Sequence, residues 1–315
     1  MAQIRGTNPD LYDKVDKTFS AIMKDRLTEL PKIYTQYYTV KTSDAKYERI
    51  VTYVPFGDTQ SKPEGEPYAF DFLRQGRTKD FTHTENGLGF EVTQTAMEDD
   101  PENILNRAGD WLAFSARYVE EGRAANPLNN GFAASGVAST DSGANTADGV
   151  SYFNVGHPLV SGGTFRNRPA TDADLSATSL MNAMIDTQTE QKDESGHLAA
   201  PITSWDLVIP PATEFIADRL INSVGLPSSA DNDRNPIKAR RTWSIIVNPR
   251  LTDTDAFFLF AANKAQHGLT FYRRVPISTE PMVIDPRTGN RIFKVRHRFS
   301  VGAWTPVGAY GSQGG

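Results

Sequence analysis

Apolar positions recur along this chain with two distinct periods, and the switch between them predicts its elements. Leu11, Val15, Phe19, Ile22, Met23, Leu27 and Leu30 follow the 3.6-residue repeat of an amphipathic helix, with Asn8 and Pro9 at its start and Pro31 at its end. A second helical stripe is Ile104, Leu105, Ala108, Trp111, Leu112, Ala116 and Val119. Asn106, Arg107, Asp110, Arg117, Glu120 and Glu121 fall mainly on its wetter side. Asp100 predicts its cap, Pro101 its first position, and Glu102 complements the helix dipole. Running from Pro101 to about Asn126, before Pro127, this helix would reach about 38 Å, a strut rather than an average helix. Shorter helices are predicted from Ser179 to about Gln191, with Leu180, Ala183, Met184 and Thr187 on one face, and from Thr213 to Ser223, with Phe215, Ile216 and Ile221.

Elsewhere the period is two, or the apolar run is continuous and short, as buried strands require. Such runs are 49–54, 88–93, 205–211, 243–247, 256–260, 269–272 and 291–301. In the last, Phe293, Val295, His297, Phe299 and Val301 form one face and Ile292, Lys294, Arg296, Arg298 and Ser300 the other. That alternation predicts a half-buried antiparallel strand with a basic outer face. Residues 54–90 form a long polar excursion between two strands, with too few apolar side chains for a core of their own. An isolated two-stranded ribbon is only marginally stable in water, so such an arm needs a partner surface. Residues 129–152, 154–164 and 225–236 read as loops. Helices and strands mixed without regular βαβ alternation make the fold class α+β.

Composition narrows the function classes. The 315 residues include no cysteine, which excludes disulfides, thiolate metal sites and cysteine nucleophiles. The first residues read as no signal peptide, and no stretch approaches the roughly 20 apolar residues of a membrane helix. Charge is segregated: residues 51–233 hold 11 Lys/Arg against 27 Asp/Glu, whereas residues 234–315 hold 13 against 4. This pattern suits head-to-tail complementarity between subunits or a basic face toward nucleic acid, and equally an ordinary solvated surface. His83, His157, His197, His267 and His297 are scattered, without metal-ligand spacing. No phosphate-cradling GxxxxGK[ST] loop and no GxSxG elbow occurs. Asp231–Asn235 opens like a calcium loop but lacks its glycine and distal glutamate, and Glu98, Asp99 and Asp100 include a helix cap. Basic residues interleave with aromatics at Phe271-Tyr272-Arg273-Arg274 and 293–299, which makes Arg273, Arg274, Lys294, Arg296 and Arg298 candidate inter-subunit or DNA-facing residues. Solvated strand faces or intersubunit salt bridges would use the same side chains.

The layout of arm, extended loop, strut helix, mixed domain and closing basic strand resembles the major capsid proteins of tailed bacteriophages, the Hong Kong 97-type fold. Two segments are similar in residues, especially to Mu-like head subunits: Tyr152-Phe153-Asn154-Val155-Gly156-His157-Pro158-Leu159-Val160-Ser161-Gly162-Gly163-Thr164, and 293–307, where the Arg/His-rich strand runs into Gly302-Ala303-Trp304. The resemblance implies an N-terminal arm over 1–47, an extended E-loop over 48–95, and a peripheral domain with a spine helix over 96–150. It further implies an axial domain over 151–268 and C-terminal strands of the peripheral domain over 269–315. The implied function is self-assembly, as pentamers and hexamers, into an icosahedral shell around double-stranded phage DNA held by non-specific contacts. Its location would be the virion, after assembly in the bacterial cytoplasm, with no catalysis, no cofactor, no metal and no membrane. Because the arm begins almost at once, the expected scaffolding protein is separate; a portal and a decoration protein are further expected partners. Some relatives cross-link through an E-loop lysine; Lys62 and Lys79 are the lysines here, and no cross-linking is expected. The alternatives are an encapsulin-like nanocompartment shell, another virion component such as a tail subunit, or a hydrolase built on His157 or His267 with a nearby carboxylate.

Overall fold

The computed structural model describes residues 9–99, 101–133, 145–225 and 234–315; the expected Asp100 cap, residues 134–144 of the expected 129–152 loop and Asp231–Asp233 lie outside them. Helix α1 (Pro9–Glu29) leads through a short 3-10 turn (Ile33–Gln36) into β1 (Thr39–Thr42). Three strands follow: β2 (Tyr47–Val54), β3 (Arg74–Thr82) and β4 (Thr84–Val92). A short helix α2 (Gln94–Asp99), with the Thr93 hydroxyl accepting from the Ala96 N–H at 3.3 Å, precedes the strut α3 (Pro101–Asn129). The two-residue strands β5 (His157–Pro158) and β6 (Thr164–Phe165) then pair with each other. The rest comprises α4 (Ala177–Thr189), β7 (Ser204–Ile209), α5 (Glu214–Asn222), α6 (Pro236–Arg240), β8 (Thr242–Val247), β9 (Phe257–Ala261), β10 (Leu269–Ile284), β11 (Arg291–Ala303) and β12 (Ala309–Ser312).

Two four-stranded sheets organise the body. The first has the order β1-β10-β11-β4, with β1 parallel to β10 and the other pairs antiparallel. The second has the order β12-β9-β7-β8, with β7 and β8 parallel. Helices α1 and α3 cover the first sheet through Phe19, Met23, Leu105, Leu112, Phe293 and Val295. Helices α4 and α5 cover the second through Leu180, Ala183, Ala217, Leu220 and Trp205. A third cluster joins the sheets, and the tyrosines of 34–38 bolt it together. Tyr34 stacks on Phe271 with ring centroids 4.5 Å apart, Tyr38 donates to the Ala124 carbonyl at 2.8 Å, and Tyr37 accepts from Asn248 Nδ2 at 3.0 Å. Hydrogen-bonded hydroxyls offset the cost of burying these three tyrosines together.

Several expected elements change in extent. Helix α3 passes through Pro127 to Asn129. A proline so near the C-terminus removes one backbone bond, and the buried Ala124, Ala125 and Leu128 outweigh that loss. Strand β10 runs to Ile284, not Tyr272, because register shifts at Arg273/Val275 and Val275/Ser278 accommodate Pro276 and the charged pair before it. Helix α5 buries Ala217, Leu220 and Ile221, while Phe215, one of the apolar residues of the predicted helix, is 83% exposed. Strand β11 keeps the expected alternation: Phe293, Val295, His297, Phe299 and Val301 are buried, Lys294 is exposed, and Arg296 and Arg298 are half-buried. Ser300 departs from it, being buried and bonded to His83 Nδ1 at 3.0 Å.

Candidate assembly surfaces

The polar excursion is a ribbon. Strands β2 and β3 pair antiparallel, and residues 55–73 between them carry no regular strand or helix. The base of the ribbon is tied to its own chain. Arg77 Nη2 donates to the Pro158 carbonyl at 2.8 Å and Arg77 Nε to Glu194 at 3.2 Å, and Lys79 Nζ donates to the Asn145 carbonyl at 2.8 Å. Arg49 grips Asp80 across the strands with two bonds of 2.7 Å. The tip differs: Phe56, Tyr68, Phe70, Phe72 and Leu73 are all exposed, Phe70 to 86% and Phe72 to 79%. Asp71 holds the tip together by accepting from the Gly57 N–H at 2.9 Å and the Phe72 N–H at 2.8 Å, and these two bonds lower its carboxyl below the usual range. So dense a group of aromatic side chains on one loop marks an interaction surface.

Two other apolar surfaces stand partly open, the Arg250 guanidinium lying 3.8 Å from the Tyr118 ring centroid in the first. Trp111, Phe114 and Tyr118 stand exposed at three- and four-residue intervals along α3, so they share one face. Phe215 on α5 and Val224 just beyond it are each more than 80% exposed.

Four of the five basic candidates meet partners within the chain. Arg273 Nη2 donates to the Tyr34 hydroxyl at 2.5 Å, and Arg274 Nη1 donates to the Ser43 carbonyl at 3.1 Å and to Asp44 at 3.0 Å. Arg296 lies 3.6 Å from Glu85 and 3.2 Å from Glu280, and Arg298 lies 3.7 Å from Glu85. The register of β4 on β11 sets Glu85 directly opposite Arg298. Sequence reading missed these pairings because the acids come from strands far along the chain. Lys294 is exposed and meets no carboxylate among the described residues.

The histidines serve the fold. His157 is fully buried, with Nδ1 2.6 Å from Asp148 Oδ2 and Nε2 2.9 Å from Asn167 Oδ1. Asn167 Nδ2 is already committed to the Tyr152 and Pro306 carbonyls, so its oxygen accepts from the imidazole. Burial by itself would raise Asp148, but the bond and charge of His157, with donors from Thr146 and the Val150 N–H, hold its carboxyl below the usual range. Both ring nitrogens are therefore occupied, and a His–carboxylate pair without a free nitrogen has no base to offer a nucleophile. Burial lowers His267 to about 3, helped by Lys264, and neither of its nitrogens has a partner among the described residues. Burial lowers His297 to about 4, assisted by the charges of Arg123, Arg117 and Arg273. His83 bridges Ser43 at 2.9 Å and Ser300, and burial lowers it too. Glu98 accepts from Gln94 on α2 at 2.8 Å, and among the described residues no cluster of His, Asp or Glu could hold a metal ion. Nor is any helix among them long and apolar enough to cross a membrane.

Comparison with known proteins gives this architecture a context. The family model described as phage capsid protein matches residues 77–312. No curated protein matches the chain in sequence. Solved structures do match in fold. The capsid of cyanophage P-SCSP1u has a TM-score of 0.60 at 10% identity, covering 89% of this chain and 87% of the other. The capsid of a native GTA particle gives 0.57 at 8% identity, over 89% and 90% of the two chains. A virus-like particle from Pyrococcus furiosus gives 0.52 at 12% identity, over 94% and 98%.

Proposed function

The chain belongs to the phage capsid protein family, and from that premise we propose that it is the major head subunit of a tailed bacteriophage, closing into an icosahedral shell around double-stranded DNA. A capsid protein acts through copies of itself rather than by turnover. The observation that carries the finer reading is the ribbon whose base is bonded to its own body while Phe56, Tyr68, Phe70, Phe72 and Leu73 of its tip are exposed, the tip meeting the rest of the chain at Asp58, 3.1 Å from His197. A tip of that kind on a rigid stalk gains cover from a neighbouring copy, and repetition of such a heterologous contact closes rings when the rotation allows. Pentamers and hexamers are the rings proposed here.

The division into arm, E-loop, peripheral and axial parts is proposed on the same footing. It is supported by a ribbon between β2 and β3, a first sheet under α1 and α3, and a second sheet under α4 and α5. Strand β12 returns to the second sheet beside β9, so residues 309–312 contribute there. Lys294, exposed and unpaired among the described residues, is the basic candidate most available to DNA or a neighbour, whereas Arg273, Arg274, Arg296 and Arg298 would have to share their present partners. A scaffolding protein, a portal and a decoration protein complete the proposed set of partners.

Electron microscopy of the purified protein, alone and with proteins encoded beside it, tests the reading. Closed shells or ring-shaped capsomers are expected, with nuclease-protected double-stranded DNA inside particles from infected cells. Uniform small monomers in both preparations would overturn it, and shells filled with protein cargo would transfer the chain to the nanocompartment class.

A further inference from the structure

Between α1, α3 and β10 lies a cleft of about 390 Å³, lined by Lys24, Lys32, Arg117 and Arg273 but by only one carboxylate, Glu120. These residues come from three separate stretches of sequence, so no motif announces the cluster. Glu120 is heavily used already. It accepts from Arg117 Nη1 at 2.5 Å and from the Tyr34 hydroxyl at 3.4 Å, and that hydroxyl in turn accepts from Arg273. The Arg117 side chain is 8% exposed; its Nη2 reaches the Leu27 carbonyl at 3.2 Å, but its Nε–H has no partner among the described residues. The Nε–H of Arg273 is likewise buried without one.

Positive charge is thus in excess within a partly enclosed space. Burial lowers the Lys32 ammonium, and the charges of Arg117 and Arg273 lower it further. The same two guanidinium groups help keep His297 neutral behind them. Buried donors without acceptors are costly, and like charges gathered in a medium less polar than water repel one another. An anion that entered would relieve that repulsion.

We propose that this cleft binds a phosphate group, held by Lys24, Lys32 and the guanidinium groups of Arg117 and Arg273 that line it. A carboxylate brings a single charge, and Glu120 already supplies one. A terminal phosphate brings about 1.5 to 2 negative charges and three acceptor oxygens, which matches several donors better. At about 390 Å³ the cleft falls at the low end of ligand-sized pockets, large enough for a phosphate with a small attached group. Met23, Leu27 and Ile277 give one wall an apolar character that such a group would meet. Two sources share this chemistry: free phosphate or polyphosphate, and the backbone of nucleic acid.

Phosphorus NMR titration of the intact subunit with inorganic phosphate and with tripolyphosphate, at ionic strength fixed with sodium chloride, tests the assignment. Saturable binding is expected. It should weaken about tenfold in Lys32→Met and in Arg273→Gln, the effect of losing one charge-assisted bond, and stay unchanged in Lys46→Met, an exposed lysine outside the cleft. Circular dichroism of Lys32→Met, whose side chain lies at the rim, separates lost binding from lost folding. A short DNA duplex that displaces the phosphate identifies nucleic acid as the source, and one that does not leaves free phosphate as the ligand; either supports the site. Three results would overturn it: binding no different from chloride, affinity in both variants equal to that of the unaltered subunit, or a glutamate tetrapeptide that binds in the cleft and is not displaced by phosphate.

Discussion

His267 and His297 show what burial does to a titratable side chain that finds no partner. In the unfolded chain both titrate near 6.5, whereas the fold holds them neutral down to about 3 and about 4. The unfolded state therefore binds more protons than the native one over roughly pH 4 to 6.5, and stability falls as pH drops through that window. Each histidine contributes at most about 1.4 kcal/mol per pH unit there. Urea denaturation of the unassembled subunit at stepped pH should show this slope, and His297→Met should flatten it; an unchanged slope in that variant would contradict the assignment. Asp148 acts lower on the scale: its folded carboxyl is depressed, so its contribution is present above about pH 3.9 and is lost as pH falls through the folded value. Replacing its partner, His157→Ala, strands a buried carboxylate and should cost about 3–5 kcal/mol at neutral pH. Denaturant unfolding measures that loss, and a cost under about 1 kcal/mol would mean the pair is solvated. The strict alternation of β11 already told that His297 faces inward. The partner of His157 was hidden, because Asp148 belongs to a glycine- and serine-rich stretch that reads only as loop.

Among the elements, those with a strong period were legible and those made by pairing were not. The stripes of α1 and α4 and the apolar run of β7 recur in the fold because each buries a continuous face, whereas α3 buries Leu105, Leu112 and Ala116 but leaves Trp111 of its expected stripe exposed and buries Arg117, Glu120 and Glu121 of its expected wetter side. Strands β1, β3 and β12 escaped notice for a common reason: they are short or polar and become strands only through neighbours such as β10, β2 and β9. Strand β3, Arg-Gln-Gly-Arg-Thr-Lys-Asp-Phe-Thr, has no apolar alternation to read. Its pairing makes the excursion a stalk rather than a loose loop, which leads to a prediction at this scale. Phe70→Ser with Phe72→Ser removes side chains that touch little in the isolated subunit, so its stability should stay within about 0.5 kcal/mol. Assembly should fail nonetheless, seen as loss of fast-sedimenting particles. Assembly at the unaltered level would show that the aromatic tip covers nothing. Glu121→Ala makes the contrasting case. That carboxylate accepts from the Ile33 N–H at 2.8 Å and the Tyr34 N–H at 3.3 Å, pinning the tyrosine segment to α3. Its removal should destabilise the subunit by about 1–3 kcal/mol before any assembly is measured.

At the scale of the whole molecule, the chain separates what is finished within one copy from what is not. The two sheets share a core through Tyr34, Tyr38, Tyr152, Phe260 and Phe299, so the body is complete. The ribbon base is bonded to that body through Arg77 and Lys79, yet residues 55–73 leave five large apolar side chains in water. This division predicts where a protease can act. Chymotrypsin should cut the unassembled subunit within Tyr68–Leu73, where exposed aromatics sit on backbone outside any regular element, and should spare the buried aromatics of the body. The same bonds should resist cleavage in assembled particles, where a neighbouring copy covers the tip. Equal cutting in both states would mean that the tip stays bare in the shell and that another surface, such as the Trp111–Tyr118 face of α3, carries the contact between copies. Resistance already present in the free subunit would instead mean that the tip folds back onto its own chain, and the stalk would then lose its role in assembly.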